Sequence, residues 1–252
     1  MTSPNRLLQV ALNGDRDKAD HPATPVSVEE LERDASACVA AGARAIHMHP
    51  RDPEGRQTLQ AEAVDGAVAR VGGACGVPVG VTTSAEIEPD PERRLRLVRA
   101  WHEPDYASVN LSEPGAVELM EVLVGIGVGV EAGVWTVKDV ERLAASGLGA
   151  RVTRSLVEPG ELQLEGIRDP TAHVLELVDA IHRALDRYDL AAPRLQHGDG
   201  RVAWVLLRDA IRRGLDTRIS LEDTLVGPDG ERAAANEALV RAARELGAGG
   251  TE

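Results

Sequence analysis

The 252-residue sequence predicts an α/β fold, a single (β/α)8 TIM barrel, on three observations. Short apolar runs alternate strictly with amphipathic helical stretches, which implies parallel strands joined by right-handed crossovers. Eight such strand–helix units follow one another, and eight units in about 250 residues are what this barrel requires. No linker or fixed-period repeat interrupts them, so we expect one domain over residues 1–252 with a frayed tail at 247–252.

The elements follow from apolar periodicity and from local start and stop signals. Ser27 opens the first helix with acidic residues in its first turn, and Pro91 stands at the first position of the third. The predicted strands are 7–13, 43–49, 77–83, 106–111, 128–134, 152–157, 195–197 and 217–221. The predicted helices are 27–41, 64–74, 91–101, 116–125, 137–145, 171–185, 202–213 and 231–246. A doubly wound open sheet is the competing fold, but no Gly-x-Gly-x-x-Gly motif follows the first strand.

Composition excludes several classes of function. The net charge of −13 argues against nucleic acid or an anionic membrane as the main partner. Aromatic residues make up 2% with no Phe, so the core must be built from Leu, Val, Ile and Ala. Cys38 and Cys75 are expected to be small buried thiols in a reducing compartment. No signal peptide or long apolar run is apparent, so a cytoplasmic location is expected.

His47 and His49 are the sharpest chemical signal. Residues two apart on a strand point to the same face, so both imidazoles should project into the mouth of the barrel. Glu222, at the end of the eighth strand, can reach the same point because strands 2 and 8 lie close together in a closed barrel. Two histidines and a glutamate with an open position form a catalytic zinc arrangement. The alternatives are two hydrogen-bonded histidines and a carboxylate paired to Arg218.

Glu222 and Asp223 set two adjacent carboxylates at one strand end. Strand alternation should send them in different directions, so one can bind metal while the other moves protons. Arg218 stands four residues before Glu222, so the strand pleat should point both side chains to the same face. Such an arginine can neutralise a substrate carboxylate or lock a carboxylate side chain. A structural salt bridge inside the barrel is the alternative.

Four sequence runs resemble the β-keto acid cleavage enzyme family, of the 3-keto-5-aminohexanoate cleavage type. They are HPATPVS at 21–27 with AAGA at 40–43 after it, HMHPRDPEG at 47–55, RISLEDTL at 218–225 and NEALV at 236–240. The resemblance extends from the first strand to the last helix.

The resemblance implies a zinc-dependent TIM barrel with one metal per chain that assembles as a homo-oligomer, a dimer or a tetramer. Its reaction converts a β-keto acid and acetyl-CoA to acetoacetate and a new CoA thioester. The metal ligands of the family fall on His47, His49 and Glu222, and its catalytic acidic residue and arginine partner fall on Asp223 and Arg218.

The other strand ends supply candidate substrate contacts, because the active site of a barrel lies there. Thr82 and Thr83 match the strand-3 residues that contact substrate in the family. The full set of candidates is Thr82, Thr83, Ser84, Asn110, Ser112, Glu113, Glu131 and His197. For the strand-4 residues, capping of the following helix is an alternative. Glu131 and Glu158 are candidates to orient the metal histidines, with carboxylates satisfied inside the barrel as an equal alternative. Arg16 and Arg51 are candidates for the CoA phosphates.

The sequence departs from the family pattern around the substrate. The differences lie at Ser84, Gly133, Thr136 and His197, which should line the pocket for the variable end of the substrate. Gly133 replaces a long carboxylate, so we expect open space there and a preference for neutral or acidic β-keto acids over amino-substituted ones. Two other functions stay open: a zinc hydrolase of the amidohydrolase type, and a relative that binds metal and ligand without turnover.

Overall fold

Eight parallel strands close into a barrel in chain order in the computed structural model, which describes residues 6–250. Each strand pairs with its neighbours in sequence, and β1 also pairs with β8. The predicted (β/α)8 barrel is therefore confirmed. The strands are β1 Leu8–Ala11, β2 Ala45–Met48, β3 Val79–Val81, β4 Tyr106–Asn110, β5 Gly129–Val134, β6 Arg154–Val157, β7 Arg194–Gln196 and β8 Asp216–Arg218.

Eight α-helices surround the barrel. Helix α1 begins after Ser27, whose hydroxyl accepts from the backbone N–H of Glu30 while the Glu30 carboxylate caps Ser27 in return. Asp90 is the N-cap residue of α3, and Pro91 is the first residue of that helix. The helices are α1 Val28–Ala40, α2 Ala61–Cys75, α3 Pro91–Val98, α4 Ala116–Ile126, α5 Val137–Ser146, α6 Pro170–Arg187, α7 Ala203–Arg213 and α8 Asn236–Glu245. Short 3-10 helices lie at Gly149–Arg151, Glu161–Leu164 and Gly200–Val202.

The core is aliphatic, as the composition requires, and lies between strands and helices. On β2, for example, Ile46 and Met48 face the helices and are fully buried. The alternate residues of each strand face the barrel axis, so the inward positions at the C-terminal ends form the mouth.

The prediction is wrong at the last unit of the barrel. Strand β8 ends at Arg218 rather than at residue 221, and a turn over 221–223 follows it. Helix α8 begins at Asn236 rather than at residue 231, because Val226 and Arg232 form an antiparallel bridge that holds the intervening residues in a hairpin. The spacing of apolar residues could not predict this bridge, because it pairs two residues that come together only when the turn between them forms.

The chain after α8 is packed rather than frayed as far as Gly250. Ala248 is buried, and its carbonyl and that of Gly250 accept from Arg244 Nη1 at 2.9 and 2.7 Å. The last two residues of the expected frayed tail lie outside the described residues. Among residues 6–250, no helix combines the length and the apolar character that crossing a bilayer requires.

Candidate active site

Three potential metal ligands converge at the C-terminal mouth of the barrel. His47 lies in β2, His49 follows on the same face, and Glu222 lies on the turn after β8. One ligand atom from each residue lies within 4.8 Å of the other two, and no second group of His, Cys, Asp or Glu in residues 6–250 meets this description. The predicted trio is therefore brought together, although strands β2 and β8 are not adjacent.

The protonation states of the trio suit metal binding. Burial lowers the pKa of His47 to about 3, against the opposing charge of Glu222, and burial also lowers the pKa of His49. Both imidazoles are therefore neutral at pH 7. Burial opposes ionisation of Glu222, but the positive charge of Arg218 outweighs it and lowers the pKa of Glu222. Two neutral imidazoles and a carboxylate are the ligand set of many catalytic zinc sites.

The hydrogen bonds of the trio leave metal-facing atoms free. Glu222 Oε1 accepts from Arg218 Nη2 at 3.0 Å, whereas the buried Oε2 has no hydrogen-bond partner among the described residues. That oxygen lies 3.8 Å from His49 Nε2. His49 Nδ1 donates to Gln57 Oε1 at 2.5 Å, which leaves the Nε2 lone pair available. The residues therefore fit a divalent metal ion.

Gln57 takes the orienting role that the sequence analysis assigned to Glu131 and Glu158. Glu131 instead accepts from Gln9 Nε2 at 2.9 Å, and Glu158 from His197 Nε2 at 2.9 Å. Neither glutamate orients a histidine of the trio, because Glu131 lies in β5 and Glu158 directly follows β6, both remote from β2 in the strand order.

Arg218 and Asp223 form a buried ion pair beside the metal ligands. Asp223 Oδ1 accepts from Arg218 Nε at 3.0 Å and from Nη2 at 2.7 Å, while Oδ2 accepts from Ser220 Oγ at 2.7 Å. Burial opposes the charge of Arg218, but Asp223 and then Glu222 outweigh it and raise its pKa. One guanidinium therefore fixes both carboxylates.

The prediction that Glu222 and Asp223 lie at the end of a strand and point in different directions is wrong. Arg218 is the last residue of β8, so Glu222 and Asp223 belong to a turn and not to an alternating strand. The turn folds both carboxylates back onto the same guanidinium, whereas alternation would have separated them.

A cavity of about 440 Å³ opens above the trio. Of the predicted substrate contacts, Thr82, Ser84, Asn110, Glu113 and His197 line it, together with Arg218. Asn110 and Glu113 do not cap α4, whose N-terminus has no side-chain cap. Glu113 is held instead by Arg94 Nη1 at 2.9 Å and by Asn110 Nδ2 at 3.0 Å. The strand-4 end is therefore part of the cavity wall.

The other predicted contacts lie elsewhere. Thr83 faces away from the barrel axis and donates to the carbonyl of Ser108 at 2.7 Å. Ser112 is exposed at the surface. Glu131 lies deep in the barrel, 3.2 Å from Arg154 Nε, and burial raises its pKa to about 7. Asp223, which was predicted as a catalytic residue, is 1% exposed and lies behind Arg218. None of the four is among the residues that line the described cavity.

Three of the residues that the sequence analysis missed contribute most directly to the site. Gln57 orients His49, Trp135 lines the cavity after β5, and Gly14 lines it beside Glu222. Trp135 stands two residues after Gly133, so strand alternation predicts that the two positions point to the same face of the sheet. No sequence signal identified Gln57, because its position depends on an antiparallel bridge between Arg51 and Gln57.

Glu158 fills the space that a side chain at Gly133 would occupy. A Cβ at Gly133 would fall inside van der Waals distance of Glu158 Oε1 and 2.9 Å from Asn110 Oδ1. The expectation of open space and a lost negative charge at Gly133 is therefore wrong, because the next strand supplies a carboxylate at the same place. The expected preference for neutral or acidic β-keto acids loses this basis.

A second cavity of about 570 Å³ lies beside the N-termini of α1 and α2, and Arg51 forms part of its wall. Arg51 Nη2 donates to the carbonyls of Gly14 and Arg16, both at 2.8 Å. Arg16 Nε in turn donates to the carbonyl of Glu222 at 3.3 Å. Both predicted CoA contacts therefore brace the loops that carry the candidate metal ligands.

Comparison with solved structures supports the fold. The N-acetylmannosamine-6-phosphate 2-epimerase from Clostridium perfringens aligns with a TM-score of 0.59 at 12% identity, over 87% of this chain and 89% of that chain. The 7,8-dihydropteroate synthase from Vibrio fischeri ES114 aligns with a TM-score of 0.56 at 12% identity, over 98% and 93%. At these identities the likeness concerns the barrel alone.

The barrel and its mouth define the class of the protein: a (β/α)8 enzyme with a candidate metal centre at the strand ends. The sequence model of the beta-keto acid cleavage enzyme family matches residues 6–249. The chain belongs to this family, and its activity is the cleavage of β-keto acids.

Proposed function

We propose that the protein transfers the acyl part of a β-keto acid to CoA with one zinc ion per chain. In this reaction the acetyl group of acetyl-CoA joins the CH2–carboxylate fragment of the β-keto acid, which gives acetoacetate. The remaining acyl group leaves as a new CoA thioester. The observation that carries the proposal is the convergence of His47, His49 and Glu222 beneath the cavity in a chain of this family.

Zinc, when bound to the trio, supplies a Lewis acid for the keto oxygen. The chain's own residues supply the other functions. Arg218 lines the cavity and carries a fixed positive charge, so it is the proposed contact for the substrate carboxylate or for the enolate that develops on cleavage. The hydroxyl groups of Thr82 and Ser84 are further donors on the cavity wall.

Asp223 is the proposed general base. Its carboxylate is held by Arg218 and by Ser220 Oγ, and Oδ1 lies 3.6 Å from His197 Nδ1. His197 lines the cavity and donates from Nε2 to Glu158, so a second proton taken up at Nδ1 is the one that it can pass to the buried carboxylate.

The CoA part of the co-substrate is proposed to lie over the loops between the two cavities. Arg51 connects the two cavities, because it lines the second and donates to the carbonyl of Gly14 on the wall of the first. Arg51 supplies positive charge for the CoA phosphates only at this place, because the chain as a whole carries a net charge of −13.

A mass-spectrometric screen of β-keto acids with acetyl-CoA tests the proposal. With acetyl-CoA labelled in its acetyl carbons, the label should appear in acetoacetate, and the unlabelled acyl group should appear as a thioester. Metal analysis should find one zinc per chain. The variant His47→Ala should lose both the metal and the turnover, whereas the surface variant His102→Ala should keep both.

Two results would point to the other functions. Cleavage without acetyl-CoA would indicate a hydrolase, although in residues 6–250 the metal cluster contains only the two histidines of the β2 end and Glu222. Zinc binding without turnover of any β-keto acid would indicate a relative that binds metal and ligand only.

We also propose that the protein is cytoplasmic and that it forms a homo-oligomer, a dimer or a tetramer. Its proposed partners are small molecules, and neither nucleic acid nor a membrane is among them. It rests on the family resemblance and on the acidic net charge. Light scattering of the purified protein measures the oligomer directly, and a monomer at all concentrations would contradict it.

A further inference from the structure

Residues 12–14, which directly follow β1, contact the chain segments that carry the candidate metal ligands. The backbone N–H of Leu12 donates to the carbonyl of His47 at 2.9 Å. Gly14 lies against the side chain of Glu222. Because these segments are far apart in the sequence, the short stretch after β1 can hold the ligands relative to one another.

Asn13 holds both backbone groups of His49. Its Oδ1 accepts from the His49 N–H at 2.9 Å, and its Nδ2 donates to the His49 carbonyl at 3.0 Å. His49 lies one residue beyond the end of β2, and Asn13 itself has no exposed surface. The side-chain amide therefore takes the place of a neighbouring strand where the regular pairing of β1 with β2 has ended.

Asn236 holds the segment that carries Glu222 in a similar way. Its Oδ1 accepts from the backbone N–H of Leu221, the residue before Glu222, at 2.6 Å. Its Nδ2 donates to the carbonyl of Leu12 at 2.7 Å and to Asp34 Oδ2 at 2.6 Å. One amide thus joins the turn after β8 to the segment after β1.

Asn236 does not cap the helix that it begins. It is the first residue of α8, and the N-cap residue is Ala235, whose side chain makes no capping bond. The side chain of Asn236 has no exposed surface, and its nearest bonded partner in sequence is 15 residues away. An asparagine at this position is therefore explained by its long-range contacts and not by the local structure of the helix.

The two buried amides make the ligand segments sensitive to small displacements. A buried N–H or carbonyl that loses its partner costs free energy, so the contacts of both asparagines favour one arrangement of these segments. In that arrangement Glu222 Oε2 lies 3.8 Å from His49 Nε2. A metal ion requires its ligand atoms within about 0.2 Å of preferred distances, so the backbone that carries the ligands must be held closely.

We propose that Asn13 and Asn236 are positioning residues that hold His49 and Glu222 at metal-binding distance before the ion binds. Neither asparagine lines the described cavity, so both act through the backbone and not by contact with substrate. Gln57 orients the ring of His49, and Asn13 fixes the backbone from which that ring projects. This inference rests on the proposed function for the identity of the metal, and it assigns a role to the first residue of the NEALV run.

Asn13→Ala and Asn236→Ala test the proposal with the metal alone as the probe. Competition titration with a chelator should give a zinc affinity at least about tenfold weaker in each variant, because a displaced ligand binds the ion poorly. The visible spectrum of the cobalt-loaded variants should also differ from that of the wild type at saturating cobalt, since this spectrum reports the ligand geometry. The two substitutions are independent, so either one decides the test if the other folds poorly.

Amide hydrogen exchange of the metal-free protein measures the same positioning without an ion. Asn13→Ala should make the His49 N–H exchange at least about tenfold faster, because this N–H loses its acceptor. Asn236→Ala should do the same for the N–H of Leu221 and also for that of Leu12, which has a different acceptor. Faster exchange at Leu12 would show that the amide of Asn236 holds the segment after β1.

Gln196→Ala is the matched control. Gln196 is likewise a fully buried amide with three hydrogen bonds, but its partners His182, Leu206 and Asp209 lie on the helix side of β7. The substitution should lower the free energy of unfolding and leave the zinc affinity and the cobalt spectrum unchanged. A loss of zinc affinity that came from destabilisation alone would appear in this variant too.

The outcomes separate this inference from the proposed function. A wild-type protein that binds no zinc contradicts the proposed function, and the exchange rates of the metal-free protein then decide this inference alone. Faster exchange at both Leu221 and Leu12 in Asn236→Ala supports the inference, whereas a change confined to Leu221 overturns it. Wild-type zinc affinity in a folded asparagine variant overturns the role of that residue, and equal weakening in Gln196→Ala overturns both roles.

Discussion

Gly14 and Glu222 are in direct contact at the mouth of the barrel, on the loops after the paired strands β1 and β8. A Cβ at Gly14 would lie 2.5 Å from Glu222 Cγ, so the glycine leaves the space in which the carboxylate of this candidate metal ligand lies. Gly14 also has a φ of 57°, which side chains with a Cβ rarely adopt. The loop after β1 therefore positions a ligand that belongs to the other end of the chain.

Gly14→Ala is expected to displace Glu222 and weaken metal binding by at least about tenfold. The measurement is a competition titration of the purified variant with a zinc chelator. Gly66→Ala is the control, since Gly66 lies in α2 with no atom within 4 Å of a Cβ there. It should keep zinc affinity and gain about 0.5–1 kcal/mol of stability. Wild-type zinc affinity in Gly14→Ala would show that Glu222 is not held by this contact.

His47→Ala and His49→Ala should each remove the metal and leave the fold intact. Each deletes one imidazole of the predicted site, whereas the aliphatic core does not depend on a metal. Elemental analysis measures the metal, and far-ultraviolet circular dichroism measures the fold. His102→Ala removes an exposed surface imidazole and should keep full occupancy. Full zinc occupancy in the double variant would rule out the assignment.

Arg218→Ala and Asp223→Ala should each lower kcat by about 100-fold or more. The double variant should be at most about threefold worse than the poorer single variant, because residues that act as a unit are not additive. Rates are expressed per bound metal, since Arg218 also contacts Glu222. The exposed pair Glu237 and Arg241 is the control, and neither alanine variant there should change kcat. If the two losses at the site multiply, Arg218 and Asp223 act independently.

Stability should fall as pH rises from about 4 to about 6 because of Asp34. Burial raises its pKa from 3.8 to about 6, although Asn236 opposes the shift by donating to Oδ2 at 2.6 Å. Between these values the folded state binds more protons than the unfolded state, so folding loses free energy as pH rises. The cost above pH 6 is at most about 3 kcal/mol.

Asp34→Asn should therefore stabilise the protein at pH 8 and have little effect at pH 4. Urea unfolding at the two pH values measures this, with Glu245→Gln at an exposed position as the control. An equal effect of Asp34→Asn at both pH values would show that Asp34 titrates normally in the folded state.

Much of the fold was predictable because its signals are local. Strand alternation in His47-Met48-His49 identified the histidine pair and its common face, and capping residues such as Ser27 and Asp90 identified helix starts. The last helix was misplaced because the hairpin before it depends on a contact between Val226 and Arg232.

The amino-acid sequence by itself determined the closed α/β barrel, the two histidines on one face of β2 and the carboxylates that follow β8. Periodicity and residue type are properties of neighbouring positions, so they can be interpreted one segment at a time. Only the tertiary structure decided that Glu158 of one strand end fills the space left by Gly133 of another, and that Arg218 fixes both Glu222 and Asp223. Such relations depend on barrel closure and on the path of a turn, which bring distant backbone segments within a few ångströms.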